Sequence, residues 1–154
     1  MGRLEGKVAF VTAAGGAIAG ATARLFGSEG AAVACIDTVE ENVNKTSNDI
    51  KAAGGKAIPF VCDVTDDDAV KSAVSATAAE FGKLDICFNA AAYSEKRHRL
   101  AEMPLDMWKL VIDVNLTGMF IVARHVIPRM QEAGGGSIIN VSSIYGVVGA
   151  KERP

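Results

Sequence analysis

The sequence has no excess of positive charge. Its 16 Lys and Arg stand against 18 Asp and Glu, giving a formal net charge of −2 and a pI near 5.7. Nucleic-acid binders need a basic face, so that class is disfavoured. Aromatics are scarce at 6%, and only four residues are proline. The three cysteines, Cys35, Cys62 and Cys87, form no C-x-x-C pair, and each lies in a short apolar run. This excludes a disulfide framework or zinc site and reads as buried, reduced thiols in a cytoplasmic protein. His98 and His125 stand apart, so no metal site is expected. The uncharged stretch from Val8 to Ala23 follows Arg3 and Lys7, but it is mostly Ala, Gly and Thr. It is shorter than the ~18 residues needed to span a bilayer and does not read as a signal peptide. Gly6 stands where N-myristoylation prefers Ser or Thr.

What the chain does have is apolar mass and glycine. Of its 154 residues, 49% are hydrophobic, 22% are charged and 16 are glycine. That composition excludes disorder and fits one domain over residues 1–154. There is no internal repeat, linker or low-complexity segment.

Short apolar runs alternate with helical patterns. Lys7–Ala13 predicts a first strand. Ala17–Glu29 predicts a helix with Ile18, Ala21, Leu25 and Phe26 on one face and Gly30 at its end. Ala32–Ile36, closed by Asp37, predicts the second strand and Glu40–Ala53 a polar amphipathic helix. Ala57–Cys62 predicts the third strand. Thr65 is the expected N-cap of a helix reaching Phe81, with Asp66, Asp67 and Asp68 in its first turn. Leu84–Asn89 predicts the fourth strand. The loop after it carries Lys96, Arg97, His98 and Arg99, a solvated or subunit-contact segment or a contact for an acidic substrate. One long helix is expected from about Pro104 to Glu132, apolar over a wide surface, then a fifth strand at Ser137–Val141. Continuous apolar strands alternating with helices imply an α/β fold, a doubly wound parallel sheet ordered 3-2-1-4-5.

Such sheets bind ligands beyond the carboxyl ends of their strands, where the strand order reverses. After strand one comes T-A-A-G-G-A-I-A-G, Thr12 to Gly20, a turn into a helix N-terminus that suits a pyrophosphate. Asp37, after strand two, reads either as a turn acid or as an acceptor for two ribose hydroxyls. Asp63 and Val64 follow strand three, and Asn89, Ala90, Ala91 and Ala92 follow strand four. Asn115, in the long apolar helix, reads as a functional amide or as a residue that kinks the helix or satisfies the core. Ser142 and Ser143 follow strand five, where a Ser-Ser pair is often only a turn.

Together these positions resemble the short-chain dehydrogenase/reductase family in its common 250-residue type. That family carries T-G-x-x-x-G-x-G after strand one, an acid after strand two for NAD, and Asp-Val after strand three. N-A-G follows strand four, an Asn sits in the long helix, and a catalytic Ser follows strand five. D-V-N-L-T-G-M-F and G-G-S-I-I-N-V-S-S-I-Y-G-V-V-G-A are close to the pattern. The resemblance implies a Rossmann-like fold and an NAD(H)-dependent oxidoreductase interconverting an alcohol and a ketone. It implies cofactor contacts at Gly15, Ala17, Ile18, Asp37, Asp63, Val64, Asn89, Ala90, Ala91 and Val114. It gives Ser143 the substrate's carbonyl oxygen and Asn115 a water in the proton relay. It also implies a homo-oligomer acting on a small molecule, without nucleic acid or membrane.

The sequence departs from the family at Ala13, Ala17, Ala19 and Ala91, each standing where the family has glycine. An alanine forced to positive φ costs roughly 1–2 kcal/mol, so weaker NAD binding is expected. The family's Y-x-x-x-K is also absent: Tyr93 is followed four residues on by Arg97, and Tyr145 by Gly149. The chain therefore reads as a cofactor-binding half that is inactive alone. The alternative is a non-catalytic, degenerate module that self-associates.

Overall fold

The computed structural model describes residues 2–94 and 99–149. Lys96, Arg97 and His98 of the basic loop lie outside the described residues. Five parallel strands form one sheet in the order β3-β2-β1-β4-β5. They are β1 (Val8–Thr12), β2 (Ala32–Asp37), β3 (Lys56–Val61), β4 (Ile86–Asn89) and β5 (Ser137–Asn140). The helices between them are α1 (Ala17–Ser28), α2 (Glu40–Ala52) and α3 (Asp67–Phe81). A long helix then runs as α4 (Leu105–Ile112), a π turn (Asp113–Thr117) and α5 (Gly118–Glu132). The expected Rossmann-like order is thus present, with strand ends shifted by one or two residues.

β1 is central and wholly buried, and its alternating side chains divide the core. Val8 and Phe10 join Ile36, Val70, Val74, Val122 and Val126 on the α3/α5 face. Ala9 and Val11 join Ala19, Ala23, Val33, Val43 and Ile50 on the α1/α2 face. The many alanines of the second layer let α1 lie close to the sheet. On the other face, Gly118 is needed for packing: a Cβ there would lie 2.6 Å from Val64 Cγ2.

The sequence expectation for the start of α3 requires a correction. Asp66, not Thr65, is the N-cap, and its Oδ1 accepts the Ala69 amide at 3.0 Å. Thr65 instead gives both its amide and its hydroxyl to Asp63 Oδ1, at 2.9 and 2.8 Å. The competing Asx turn at Asp63 moves the cap one residue along.

The helix from Leu105 to Glu132 is 28 residues long and apolar enough to cross a membrane by length and composition. The fold accounts for much of that apolarity, because Ile121, Val122, Val126 and Met130 pack into the core. α4 buries none of its residues. Trp108, Leu116 and Phe120 are exposed at 44%, 64% and 61%, and β5 is an edge strand.

Candidate functional site

The end of β1 is locked to the end of β4. Thr12 Oγ1 accepts the amides of Ala90 and Ala91 at 2.8 and 3.0 Å, and donates to Asn89 Oδ1 at 3.3 Å. Asn89 Nδ2 in turn donates to the Met119 carbonyl at 3.2 Å. Asn89 is fully buried, so its side chain is spent on joining strand, loop and helix. Its place is structural, at the point where the strand order reverses.

After Thr12 the chain turns sharply. Ala13 has φ of 55°, the left-handed value expected of a glycine. The Gly16 amide closes the turn on the Ala13 carbonyl at 2.8 Å, and the Ala14 amide reaches the Ile36 carbonyl at 2.9 Å. Thr46 of α2 braces the turn, its Oγ1 donating to the Ala14 carbonyl at 2.8 Å. α1 then starts with no side-chain cap and no acid in its first turn. Its first amides and the positive end of its dipole are thereby left to an outside acceptor. Ala17 and Ile18 stand exposed at this end, and Ala19 is buried against the sheet.

Asp37 closes β2. Its Oδ1 accepts the Val39 amide at 3.0 Å and its Oδ2 the Gly15 amide at 2.9 Å. A cleft of ≈ 280 Å³ opens beside it at the carboxyl ends of the strands. Of the residues singled out from sequence, Asp37, Asp63, Val64, Ala91 and Val114 line it, together with Ala13 and Ala92. Gly15, Ala17, Ile18, Asn89 and Ala90 are not among its lining residues. Larger depressions of ≈ 540 and ≈ 640 Å³ lie at the opposite ends of the strands, around Gly54 and Gly134. They collect none of these residues, and parallel α/β sheets bind ligands at the carboxyl end.

Asn115 lies in the π turn, and its side chain binds the Tyr93 backbone at both polar groups. Tyr93 lines the cleft, which no sequence signal indicated. Thr46 was also missed, since a buried threonine in a polar helix looks like any other. Ser143 caps the last 3₁₀ turn (Ile144–Gly146), where its Oγ accepts the Tyr145 amide at 3.3 Å. That bond leaves the hydroxyl proton available for donation.

Among the described residues the cleft's charge has one sign. Asp37 and Asp63 line it, and no Lys, Arg or His does among the described residues. Cys62 also lines it, but burial pushes its thiol up to about 11, and those of Cys35 and Cys87 to about 12. None is a thiolate at neutral pH, and all three are unpaired. A dinucleotide fits what is present. There is an uncapped helix start for a pyrophosphate, a carboxylate with two oxygens at the neighbouring strand end, and an apolar floor of Val64, Ala91 and Val114.

The model of the family described as short chain dehydrogenase matches residues 7–154. The chain belongs to that family. Among short-chain dehydrogenases, cis-4-hydroxycyclohexanecarboxylate dehydrogenase of Sinomonas cyclohexanicum is 41% identical over 143 residues, 93% of this chain and 57% of that protein. The structure of NAD⁺-bound xylitol dehydrogenase superposes with a TM-score of 0.94 at 36% identity, covering 97% of this chain and 58% of that one. Carveol dehydrogenase from Mycobacterium avium, in complex with NAD, gives a TM-score of 0.95 at 29% identity, covering 99% and 60%. The chain thus spans under two thirds of the length of the short-chain dehydrogenases it matches.

Proposed function

We propose that this chain is the nucleotide-binding part of an NAD(H)-dependent oxidoreductase that interconverts a small alcohol and its ketone. Asp37 carries the reading. Its carboxylate lines the cleft beside a second acid and, among the described residues, no base, so a 2′-phosphate would meet negative charge there without a partner. NAD is therefore favoured over NADP. The NAD in two structural relatives supports a nicotinamide dinucleotide of one kind or the other.

In this reading the amides at Ala17 and Ile18 receive the pyrophosphate, and Gly15 and Asp37 the ribose. Asp63, Val64, Ala91 and Val114 border the base, and Asn89 and Ala90 hold the floor in place. The bound cofactor supplies or accepts the hydride. Ser143 donates its hydroxyl proton to the substrate's carbonyl oxygen, an oxyanion-type role. Asn115 fixes the Tyr93 segment and, with its remaining amide proton and lone pair, holds a water.

The described chain has no Tyr-x-x-x-Lys to move the alcohol proton, so binding without turnover is the expected behaviour of these 154 residues. The unpaired thiols support a cytoplasmic setting. The second reading, a self-associating module without catalysis, is favoured by the exposed apolar helix face.

Titration with NADH and NADPH tests the main reading. NADH is expected to bind at least about tenfold tighter, and Asp37→Ala to narrow the gap. NADPH binding as tight as NADH overturns the reading. Hydride transfer by the 154-residue chain alone would overturn the expectation of inactivity.

A further inference from the structure

Asp37 does not reach the cleft unaided. The Gly15 amide donates to Oδ2 and the Val39 amide to Oδ1, one bond to each oxygen. A carboxylate offers about four lone-pair sites. Two therefore remain, one on each oxygen, which is the number a ribose diol needs.

The Gly15 bond depends on a missing side chain. A Cβ at Gly15 would lie 2.6 Å from Asn42 Cβ and 2.9 Å from Asp37 Oδ2, inside the reach of real Cβ contacts. The turn cannot easily retreat from such a clash. Ala14, the preceding residue, is held through its carbonyl by Thr46 Oγ1 and through its amide by the Ile36 carbonyl. Asn42 sits on α2, the helix that carries Thr46. Of these two contacts only the Asp37 carboxylate can turn on its own side-chain torsions; the Asn42 Cβ is fixed to α2 and yields only with a small shift of the backbone.

We propose that Gly15, backed by Asn42, is a specificity-determining position. Its bare Cα lets Asp37 close onto its amide and so aims the carboxylate at the ribose. A side chain at position 15 turns the carboxylate away, loses the diol contacts and lowers the barrier to a 2′-phosphorylated cofactor. This rests on the NAD reading above and adds a positioning role that charge alone does not supply.

The test is calorimetric titration of the full chain with NADH and NADPH, for the parent, Gly15→Ala and Asp37→Glu. Asp37→Glu keeps the charge but lengthens the arm. The ratio of the two affinities is the readout, because a purely structural loss weakens both cofactors alike. The parent is expected to favour NADH at least about tenfold, and each variant to bring the ratio to about threefold or less, mainly through weaker NADH. A parental ratio retained in both variants overturns the inference while leaving the NAD reading intact. A parent without preference for NADH overturns the NAD reading itself and the inference with it. If circular dichroism finds Gly15→Ala unfolded, Asp37→Glu alone decides, and an unchanged ratio there overturns the inference.

Discussion

Asn115 and Tyr93 are joined twice. Asn115 Oδ1 accepts the Tyr93 amide at 2.7 Å, and Nδ2 donates to the Tyr93 carbonyl at 3.0 Å. One side-chain amide copies a rung of a β-ladder, linking a π turn in the long helix to the segment that lines the cleft.

Removing that rung should loosen both sides. Asn115→Ala is expected to cost about 1 kcal/mol or less, because both bonds lie at an exposed segment where water can replace them. It should also weaken NADH binding, because Tyr93 borders the cleft. Urea unfolding and nucleotide titration measure the two effects. An unaltered midpoint together with unaltered affinity would show the clamp to be idle.

Ala13 offers the opposite direction. At φ of 55° it occupies a conformation that costs a non-glycine roughly 1–2 kcal/mol. Glycine would lose about 0.5–1 kcal/mol of that gain to unfolded-chain entropy. Ala13→Gly should therefore stabilise the free protein by about 0.5–1 kcal/mol, seen as a higher denaturant midpoint. Paired with Ala17→Gly it should tighten NADH at least about tenfold. A lower midpoint would mean that the turn has no strain to release.

Acid sensitivity should centre on Asp85, at the far end of the sheet. Burial alone would raise its carboxyl. The Val8 amide at 2.9 Å, with Lys83 and Lys7, outweighs burial and holds it below its ordinary value of 3.8. A depressed carboxylate stabilises the fold above its unfolded pKa. That contribution is lost as pH falls from 3.8 through the lower folded value. Asp85→Asn should be less stable at neutral pH and show a flatter loss of stability on acidification. Identical pH profiles for the two proteins would remove Asp85 from this role.

The exposed face of the long helix bears on assembly. Trp108, Leu116 and Phe120 all face water in the isolated chain, and β5 is an edge strand. An apolar stripe of this kind and an unpaired strand edge both favour association. The chain is expected to be a dimer or larger at micromolar concentration by light scattering after size exclusion, and Leu116→Asp to disrupt that assembly. A folded parental monomer would overturn the expectation.

Strand order was legible because each strand is an apolar run closed by punctuation, as Asp37 closes β2 and Gly82 stops α3 with φ of 83°. Strand-end residues such as Asp37, Asp63 and Ala91 followed from that order. What stayed hidden depends on three-dimensional contact. Thr65 reads as the cap from sequence, and only the Asp63 turn that occupies it shows why Asp66 takes that place. Tyr93 shows no pattern that marks it, and it gains its place from an amide 22 residues away. Asn89 matched the family motif, but only the packing shows that its side chain is consumed between Thr12 and Met119.

That Thr12–Asn89–Met119 chain of hydrogen bonds has a consequence for how the molecule opens. These bonds tie the cleft floor to α5, so local unfolding of the helix is expected to expose the floor as well. A nucleotide that binds only the closed form must then protect α5 from hydrogen exchange, although it touches no residue there. The gain in opening free energy should follow RT ln(1 + [L]/Kd) as nucleotide is added. Amides near Met119 and Val122 would thereby report occupancy of a site on the other side of Asn89.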